Sequence, residues 1–268
     1  MTQLLSADAI RALRLHYFKP NPFLLNWIQC YWTLGEGTGD LDSRTEKLYP
    51  DAGASLTFYF DSNSPWVELA QNRVVRVHCF SARTRQLSVR FKPGGMKSVL
   101  GIEPEVLHHQ ESVTGKALPF AVLDLLHQLS ELPTQTSSLI YVRRLEQFIF
   151  TQLAQAETHE ERMPLLIKRV AQSTLSTTQV ANELGMVRRT LERKLRRSVG
   201  FSAGELKSFY QMTAARKRLV FSTASIAEIA QECGYYDQAH FCHAFRRFTL
   251  ESPQQYRRRK VSQIYKPI

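Results

Sequence analysis

Cysteine is scarce in this chain of 268 residues, and its four cysteines are scattered with no C-x-x-C pair among them: Cys30, Cys79, Cys233 and Cys242. This usage excludes a disulfide framework and a cysteine-rich zinc site, and it is typical of proteins kept in a reducing compartment. The sequence also lacks an N-terminal basic region followed by an apolar run, and no uncharged apolar run is long enough to span a bilayer. These absences predict a cytoplasmic protein without a membrane segment.

Two signatures of enzyme active sites are missing as well. The sequence has no phosphate-binding glycine loop and no pair of catalytic carboxylates. His78-Cys79 and His108-His109 are suggestive of metal binding, but adjacent residues on a strand point to opposite faces and do not converge on one ion. We therefore predict a protein that is not an enzyme and that uses no metal or other cofactor.

Acidic residues are scarce relative to basic ones in only one part of the chain. Residues 164–268 hold 19 Lys and Arg against 7 Asp and Glu, whereas residues 1–163 hold 16 against 17. A basic segment of this kind is expected of a protein that binds a phosphate backbone. A membrane surface would instead require a free apolar helix face, and this segment needs its apolar faces internally. The charge distribution favours double-stranded DNA as the partner.

The basic segment contains an internal repeat. Positions that precede the turn recur 49 residues later in the chain, and positions that follow the turn recur 50 residues later. The first copy has Val180, Ala181, Gly185, Leu191, Leu195, Arg196 and Arg197, and the second has Ile229, Ala230, Gly234, Phe241, Phe245, Arg246 and Arg247. In each copy a short apolar stripe ends at a glycine and a second stripe follows at helical spacing. This pattern predicts two helix-turn-helix units.

Helix starts in this segment are marked by capping boxes, in which a serine is followed three residues later by Gln or Glu. The four serines are Ser176, Ser202, Ser225 and Ser252. With the repeat, they predict about seven helices: a lead helix over 164–173, a first unit over 177–199, a connecting helix over 203–220, a second unit over 226–249 and a last helix over 253–259. The connecting helix is expected to hold the units at a fixed spacing and to bury Leu206, Phe209, Tyr210, Thr213, Ala214 and Leu219.

Outward-facing side chains on the second helix of each unit are the candidates for DNA contact. For base edges they are Arg188, Arg189, Glu192 and Arg193 in the first unit and Gln238, Ala239, His240, Cys242 and His243 in the second. Arginine can donate hydrogen bonds to guanine, glutamate can accept one from cytosine, and glutamine can form two hydrogen bonds with adenine. Arg196, Arg197, Arg246 and Arg247 lie later on the helices and are expected to contact phosphates. For any single residue of the set, the alternative is a solvated surface side chain.

Residues 165–260 resemble the AraC/XylS family of bacterial transcription regulators. The resemblance rests on Ile229, Ala230, Gly234, Tyr235, Asp237, Phe241, Phe245, Arg246, Pro253, Tyr256 and Arg257. It implies a sequence-specific DNA-binding regulator whose further partner is RNA polymerase. The sequence departs from the family's pattern at Leu250, where glycine is usual, at His243, where arginine is common, and at Val187 and Tyr236, where capping serines are usual.

Leu250 is the departure with a structural consequence. Its repeat mate is Gly200, and a left-handed backbone at this point would cost leucine about 1–2 kcal/mol relative to glycine. Full burial of a leucine contributes about 1.5–3 kcal/mol. We therefore expect the chain to turn by another route, with Phe248 and Leu250 buried together.

The first domain, residues 1–162, is predicted to be β-rich. A short helical lead-in over residues 1–21 is followed by strand-like segments at 27–33, 55–60, 74–80 and 87–91 and by a helical segment over about 117–157. Short strands at this spacing indicate a barrel or double-sheet roll. The predicted fold class is α+β with two domains: a β-rich barrel or roll with flanking helices, then an all-α domain at 163–268.

Two roles remain open for the first domain. Five aromatic residues are candidates for lining a ligand cavity, although aromatic side chains more often fill a core: Trp27, Trp32, Phe58, Phe60 and Trp66. The resemblance implies a domain that senses a small-molecule effector or mediates association. The apolar stripe over about 139–156 is a candidate homodimer contact, or it packs within the chain.

The predicted function is a DNA-binding transcription regulator that is modulated through its first domain. It would read two adjacent major-groove segments with two recognition helices. The alternative is a ligand-independent regulator that is controlled by dimerisation or by a protein partner. A DNA-repair alkyltransferase with the same module would need a base-assisted cysteine, and no His or Arg adjoins Cys30.

Overall fold

The computed structural model describes residues 15–35, 43–60, 64–81, 84–107, 112–133, 135–156 and 163–264. They form the two-domain α+β fold that the sequence predicts, a β-rich domain with helices followed by an all-α domain. The domain boundary predicted at residue 162 and the His108-His109 pair lie outside the described residues. Among the described helices, none has the length and apolar character needed to cross a bilayer.

The described residues of the first domain form eight strands. They are β1 (Leu15–Phe18), β2 (Ile28–Leu34), β3 (Ser43–Leu48), β4 (Ala54–Phe60), β5 (Trp66–Ala70), β6 (Arg76–Ser81), β7 (Arg85–Phe91) and β8 (Ser112–Thr114). An antiparallel sheet has the order β1-β2-β7-β4-β5-β8, and β3 pairs with β6 in a separate two-stranded sheet. The predicted helical lead-in is wrong at β1, because Leu15 to Phe18 pair with β2 and complete the edge of the larger sheet.

The six-stranded sheet has one core face and one cavity face. On β4, Ala54, Leu56 and Phe58 are buried in the main hydrophobic core, whereas Ser55, Thr57 and Tyr59 line a cavity. Successive side chains of a strand point to opposite faces, so this alternation follows from the strand geometry. The core face is covered by α1 (Gly95–Leu100), α2 (Phe120–Ser130) and α3 (Ser138–Gln155).

Between residues 163 and 264, the second domain forms seven helices. They are α4 (Met163–Gln172), α5 (Thr177–Glu183), α6 (Arg188–Val199), α7 (Ala203–Phe221), α8 (Ile226–Glu232), α9 (Gln238–Thr249) and α10 (Pro253–Ile264). All four predicted capping boxes form, and each pairs a serine hydroxyl and a Gln or Glu side chain with two backbone N–H groups at a helix start. These caps explain why the helix starts could be predicted from the sequence.

The two helix-turn-helix units are α5–α6 and α8–α9, and each has its own core. Val180, Ala181, Leu191 and Leu195 are buried in the first, and their repeat mates Ile229, Ala230, Phe241 and Phe245 are buried in the second. The connecting helix α7 packs in both cores with a stripe that differs from the predicted one. Met212, Ala215 and Arg216 are buried on it, whereas Tyr210 is exposed.

The prediction for Leu250 is wrong. Its backbone has φ +60° and ψ 25°, its N–H donates to the Arg246 carbonyl at 2.8 Å, and its side chain is 64% exposed. Gly200 ends α6 in the same left-handed geometry, with φ +77°. Both recognition helices therefore end alike, because the cap supplies a donor to an otherwise unbonded helix carbonyl. Phe248 packs without Leu250, with its ring centroid 5.7 Å from that of Phe209.

Candidate nucleic-acid interface

Helix α6 presents three arginines near its start. Arg188, Arg189 and Arg193 are exposed, while Leu191 on the opposite face is wholly buried. Glu192 is placed differently: it is half-buried, and its carboxylate accepts a hydrogen bond from the Ala203 N–H at 3.2 Å. A carboxylate at this position stabilises the start of α7, since it satisfies a free N–H and complements the helix dipole. Glu192 therefore has a structural role in addition to the base contact predicted for it.

Helix α9 presents a polar start of a different composition. Gln238, Ala239, His240 and His243 are exposed. Cys242 is half-buried against the core of the second unit, and burial raises the pKa of its thiol. The exposed set can donate to, accept from and pack against base edges, whereas the cysteine contributes mainly to packing.

The two recognition helices begin differently. Asp237 caps α9, because its side chain accepts a hydrogen bond from the His240 N–H at 2.7 Å. Val187 precedes α6 without a side-chain cap. Val187 and its repeat mate Tyr236 are 67% and 93% exposed. Sequence reasoning treated both only as lost caps; the signal that they border the candidate interface is their place at the helix starts, since Val187 directly precedes α6 and Tyr236 precedes the Asp237 cap of α9.

The four arginines predicted to contact phosphates all lie exposed at the last turns of the recognition helices: Arg196, Arg197, Arg246 and Arg247. Their guanidinium groups form no ion pair with the residues that the structure describes. Cations here complement the negative end of the helix dipole and stay available to an external anion.

The first domain contacts the end of the first recognition helix. Arg73 donates to the Gly200 carbonyl at 3.0 Å, and Lys97 donates to the Arg197 carbonyl at 3.1 Å. The Arg73 guanidinium also lies 4.3 Å from the Phe201 ring centroid. Gly94, at φ +83°, allows a close approach to α4, since a Cβ there would lie 2.7 Å from Ile167 Cδ1. Basic side chains of one domain thus bond backbone carbonyls at a helix end of the other.

A similar contact occurs at the end of the second recognition helix. Lys47 Nζ donates to the Thr249 carbonyl at 3.2 Å and lies 3.3 Å from Glu251 Oε1. Tyr49 donates its hydroxyl to Glu251 at 3.1 Å, and Arg259 bonds both carboxylate oxygens of Glu251. Burial opposes ionisation of Glu251, but the Arg259 hydrogen bond and the charges of Arg259 and Lys47 outweigh it and lower the pKa of this carboxyl.

A buried ion pair also crosses between the domains. Lys260 Nζ on α10 lies 2.9 Å from Glu46 Oε2 on β3, and both residues are buried. Burial lowers the pKa of Lys260, and the nearby Glu46 carboxylate works against this shift. Together with the contacts of Arg73, Lys97 and Lys47, this pair fixes the first domain against both helix-turn-helix units.

The cavity of the first domain has a volume of about 400 Å³ and lies between the two sheets. Of the five aromatic candidates, Trp32 and Trp66 line the cavity, whereas Trp27, Phe58 and Phe60 do not. Those three belong to or pack on the main core, since they lie on or near its face of the sheet. The second domain contributes Arg216 of α7 to the cavity wall. Sequence reasoning missed this residue, because an arginine in a helical stripe is expected at the surface.

Comparisons with known protein families match the two parts of the chain separately. A family model described as a helix-turn-helix domain matches residues 180–259. A second, described as a domain of unknown function (DUF6597), matches residues 16–112.

Two curated Escherichia coli proteins are similar to part of the chain. The xylose operon regulatory protein of strain K12 is 26% identical over 145 residues, which cover 53% of this chain and 37% of that protein. The transcriptional activator RhaS of strain K12 / DH10B is 35% identical over 78 residues, or 29% of this chain and 28% of that protein. The match thus spans about a third of the length of these relatives.

Among solved structures, an AraC-type transcriptional regulator from Chromobacterium violaceum is similar to part of the chain. It shares 26% identity over 38% of this chain and 89% of that chain, with a TM-score of 0.33.

Proposed function

The chain belongs to the AraC/XylS family of transcription regulators and carries a helix-turn-helix DNA-binding domain, and from this premise we propose that α6 and α9 read two adjacent major-groove segments. One observation carries the proposal: both recognition helices expose polar starts while their opposite faces are buried in separate cores joined by α7. Since one chain supplies both recognition helices, the DNA site is asymmetric and can be bound without a second copy of the protein.

Within this proposal, the base-reading residues are those exposed at the helix starts. Arg189 and Arg193 contact guanines, and Gln238 contacts adenine, by the bidentate geometry that each side chain permits. Arg196, Arg197, Arg246 and Arg247 bind phosphates and set the orientation of the domain. The exposed Val187 and Tyr236 pack against sugars or thymine methyl groups at the entry of each helix.

The first domain modulates this activity in the proposed function. It bonds the ends of both recognition helices, so a change in its conformation alters their relative placement. Its cavity, which includes a side chain of α7, favours control by a small molecule over ligand-independent control. RNA polymerase is the further partner, and the cytoplasm is the compartment, since both belong to transcription in bacteria.

Homodimerisation, if it occurs through α3, has to use a different face from the predicted stripe. Val142, Leu145 and Ile149 are buried in the chain's own core. Leu139, Ile140 and Phe150 are the large apolar side chains that α3 leaves exposed.

DNA-binding measurements on the full-length protein test the proposal. Binding sites are selected from a randomised duplex pool, and dissociation constants are measured by fluorescence anisotropy on the selected site and on a scrambled one. Arg189→Ala and Arg193→Ala should each lose about 1–3 kcal/mol on the selected site, with little loss on the scrambled one.

Arg196→Ala is the matched control, because a phosphate contact contributes equally on every sequence. It should weaken binding to both duplexes alike and reduce the salt dependence of binding. Equal losses of affinity for Arg189→Ala on the two duplexes would show that Arg189 does not read bases. If the wild-type protein selected no sequence from the pool, the proposed function would be contradicted.

A further inference from the structure

Arg216 is a buried guanidinium without a carboxylate partner. It is 3% exposed, its Nε donates to the Tyr256 hydroxyl at 3.2 Å, and its guanidinium carbon lies 3.7 Å from the Tyr49 ring centroid. Within the described part of the chain, its Nη1 has no hydrogen-bond partner and no acidic group lies within ion-pair distance of it. A buried charge in this state is unfavourable unless an anion completes its surroundings.

The cavity beside Arg216 has an excess of positive charge. Three arginines line it, at positions 76, 90 and 216, against the two carboxylates Asp51 and Glu68. Asp51 is ion-paired with Arg90, and Glu68 accepts the Tyr59 hydroxyl at 3.2 Å. Both acidic groups therefore have partners within the cavity wall, and Arg216 is a lining cation with which an incoming anion can pair.

The rest of the cavity wall is aromatic. Trp66 stacks on Tyr59 with ring centroids 3.8 Å apart and an interplanar angle of 5°, and Trp32 packs edge-on against Phe80 at 6.1 Å. All four side chains line the cavity. Its volume of about 400 Å³ lies in the range of small-molecule sites, about 300–1,000 Å³. Flat aromatic walls with one buried cation suit a small planar molecule that carries one negative charge.

We propose that the cavity binds a small aromatic carboxylate, with its ring against the tryptophan walls and its carboxylate on Arg216. The inference rests on the proposed function, and it names the chemical class of the effector. Arg216 belongs to α7, which joins the two helix-turn-helix units, and it stacks on Tyr49, which donates to Glu251 just after α9. A carboxylate bound to Arg216 competes with this stack. Ligand binding in the cavity therefore affects the end of α9 through the side chains of Arg216 and Tyr49.

Calorimetric titration of the full-length protein with a matched pair of probes tests the ligand class. trans-Cinnamate and trans-cinnamamide have nearly the same shape and differ in charge. We expect cinnamate to bind about tenfold or more tightly than cinnamamide, because its bond to the guanidinium is charge-assisted. Equal affinities, or binding of neither probe at millimolar concentration, would overturn the proposal.

Substitutions test whether Arg216 causes the preference for cinnamate over cinnamamide. Arg216→Met should abolish the difference between the probes, whereas Lys217→Met, the same type of change at an exposed position of α7, should preserve it. Should Arg216→Met fail to fold, Arg216→Lys keeps the charge and should retain the preference for cinnamate at reduced affinity. Trp66→Leu should weaken both probes by the same factor. A preference that survives Arg216→Met would refute the role of this residue.

A second measurement separates this inference from the proposed function. The dissociation constant for selected DNA is measured with and without cinnamate in the wild-type protein and in Arg216→Met. The wild-type constant should change several-fold, and that of the variant should not change. Cinnamate binding without an effect on DNA affinity would refute the coupling through Arg216 and leave DNA binding intact. Failure to bind DNA would refute the proposed function and leave the calorimetric result standing.

Discussion

Lys260→Met tests whether the buried ion pair holds the two domains together. The substitution removes the cation that lies 2.9 Å from Glu46. Methionine is unbranched and of similar length, so it fills most of the same space and the perturbation is mainly electrostatic. Lys260 and Glu46 are 3% and 8% exposed, so water does not replace the lost partner.

The expected cost follows from the surroundings of Glu46. Removal of one partner of a buried ion pair typically costs about 3–5 kcal/mol, since the other charge stays buried. Arg259 Nη1 lies 4.0 Å from Glu46 and offsets part of this, which leaves about 2–4 kcal/mol. At about 2–4 °C per kcal/mol for a chain of this size, the melting temperature should fall by roughly 4–16 °C.

Two probes weight the two domains differently in thermal unfolding. The three tryptophans, Trp27, Trp32 and Trp66, all belong to the first domain, and far-ultraviolet circular dichroism reports mostly on the helices. Both signals should shift together, because the ion pair crosses between the domains.

Two further variants complete the test of the ion pair. Glu46→Met combined with Lys260→Met should recover most of the stability, since no unpaired charge remains. Lys217→Met, at an exposed position, should stay within about 0.5 kcal/mol of wild type. The reasoning is refuted if Lys260→Met melts within about 1 °C of wild type, or if the double variant is no more stable than the single one.

Three further substitutions probe the ends of the recognition helices. Leu250→Gly should stabilise the protein by about 0.5–1 kcal/mol in urea unfolding, because it relieves a left-handed backbone and loses little burial; a lower midpoint would contradict this. Glu251 has a lowered pKa, so its stabilisation is present above the ordinary value of 4.5 and lost as pH falls through the folded pKa; Glu251→Gln should remove this part of the acid sensitivity, and an unchanged pH profile would argue against it. Arg73→Met should cost about 1–3 kcal/mol, because the charged hydrogen bond from Arg73 to the Gly200 carbonyl is lost; a loss no greater than that of an exposed arginine would exclude the contact.

The second domain could be predicted from sequence because its signals are local. Capping boxes such as that at Ser225 mark helix starts within four residues, and each apolar stripe repeats within one helix. The internal repeat supported each of its matched positions a second time, because the same residue type recurs in the other helix-turn-helix unit. Leu250 was predicted wrongly for a physical reason: we set side-chain burial above backbone geometry, whereas the helix end required a donor for the Arg246 carbonyl.

The contacts between domains could not be predicted, because they join residues far apart in sequence. Arg216 and Tyr49 are separated by 167 positions, and neither lies in a pattern that indicates the other. Likewise, strand alternation places Tyr59 in the cavity and Phe58 in the core, yet the sequence alone does not say which face of β4 is which. The cavity could not be predicted from sequence, because it is formed by the packing of the two sheets against each other.

The contacts of Lys47, Arg73 and Lys97 with helix carbonyls limit the modularity of this architecture. A chimaera that joins the second domain to a foreign first domain would inherit two recognition helices whose ends lack these donors. A crossover between residues 156 and 163 would therefore separate groups that act as one unit, and a successful graft would have to carry the three cations along. Recombination within such a family should favour exchange of whole chains or of recognition-helix surfaces over exchange of domains.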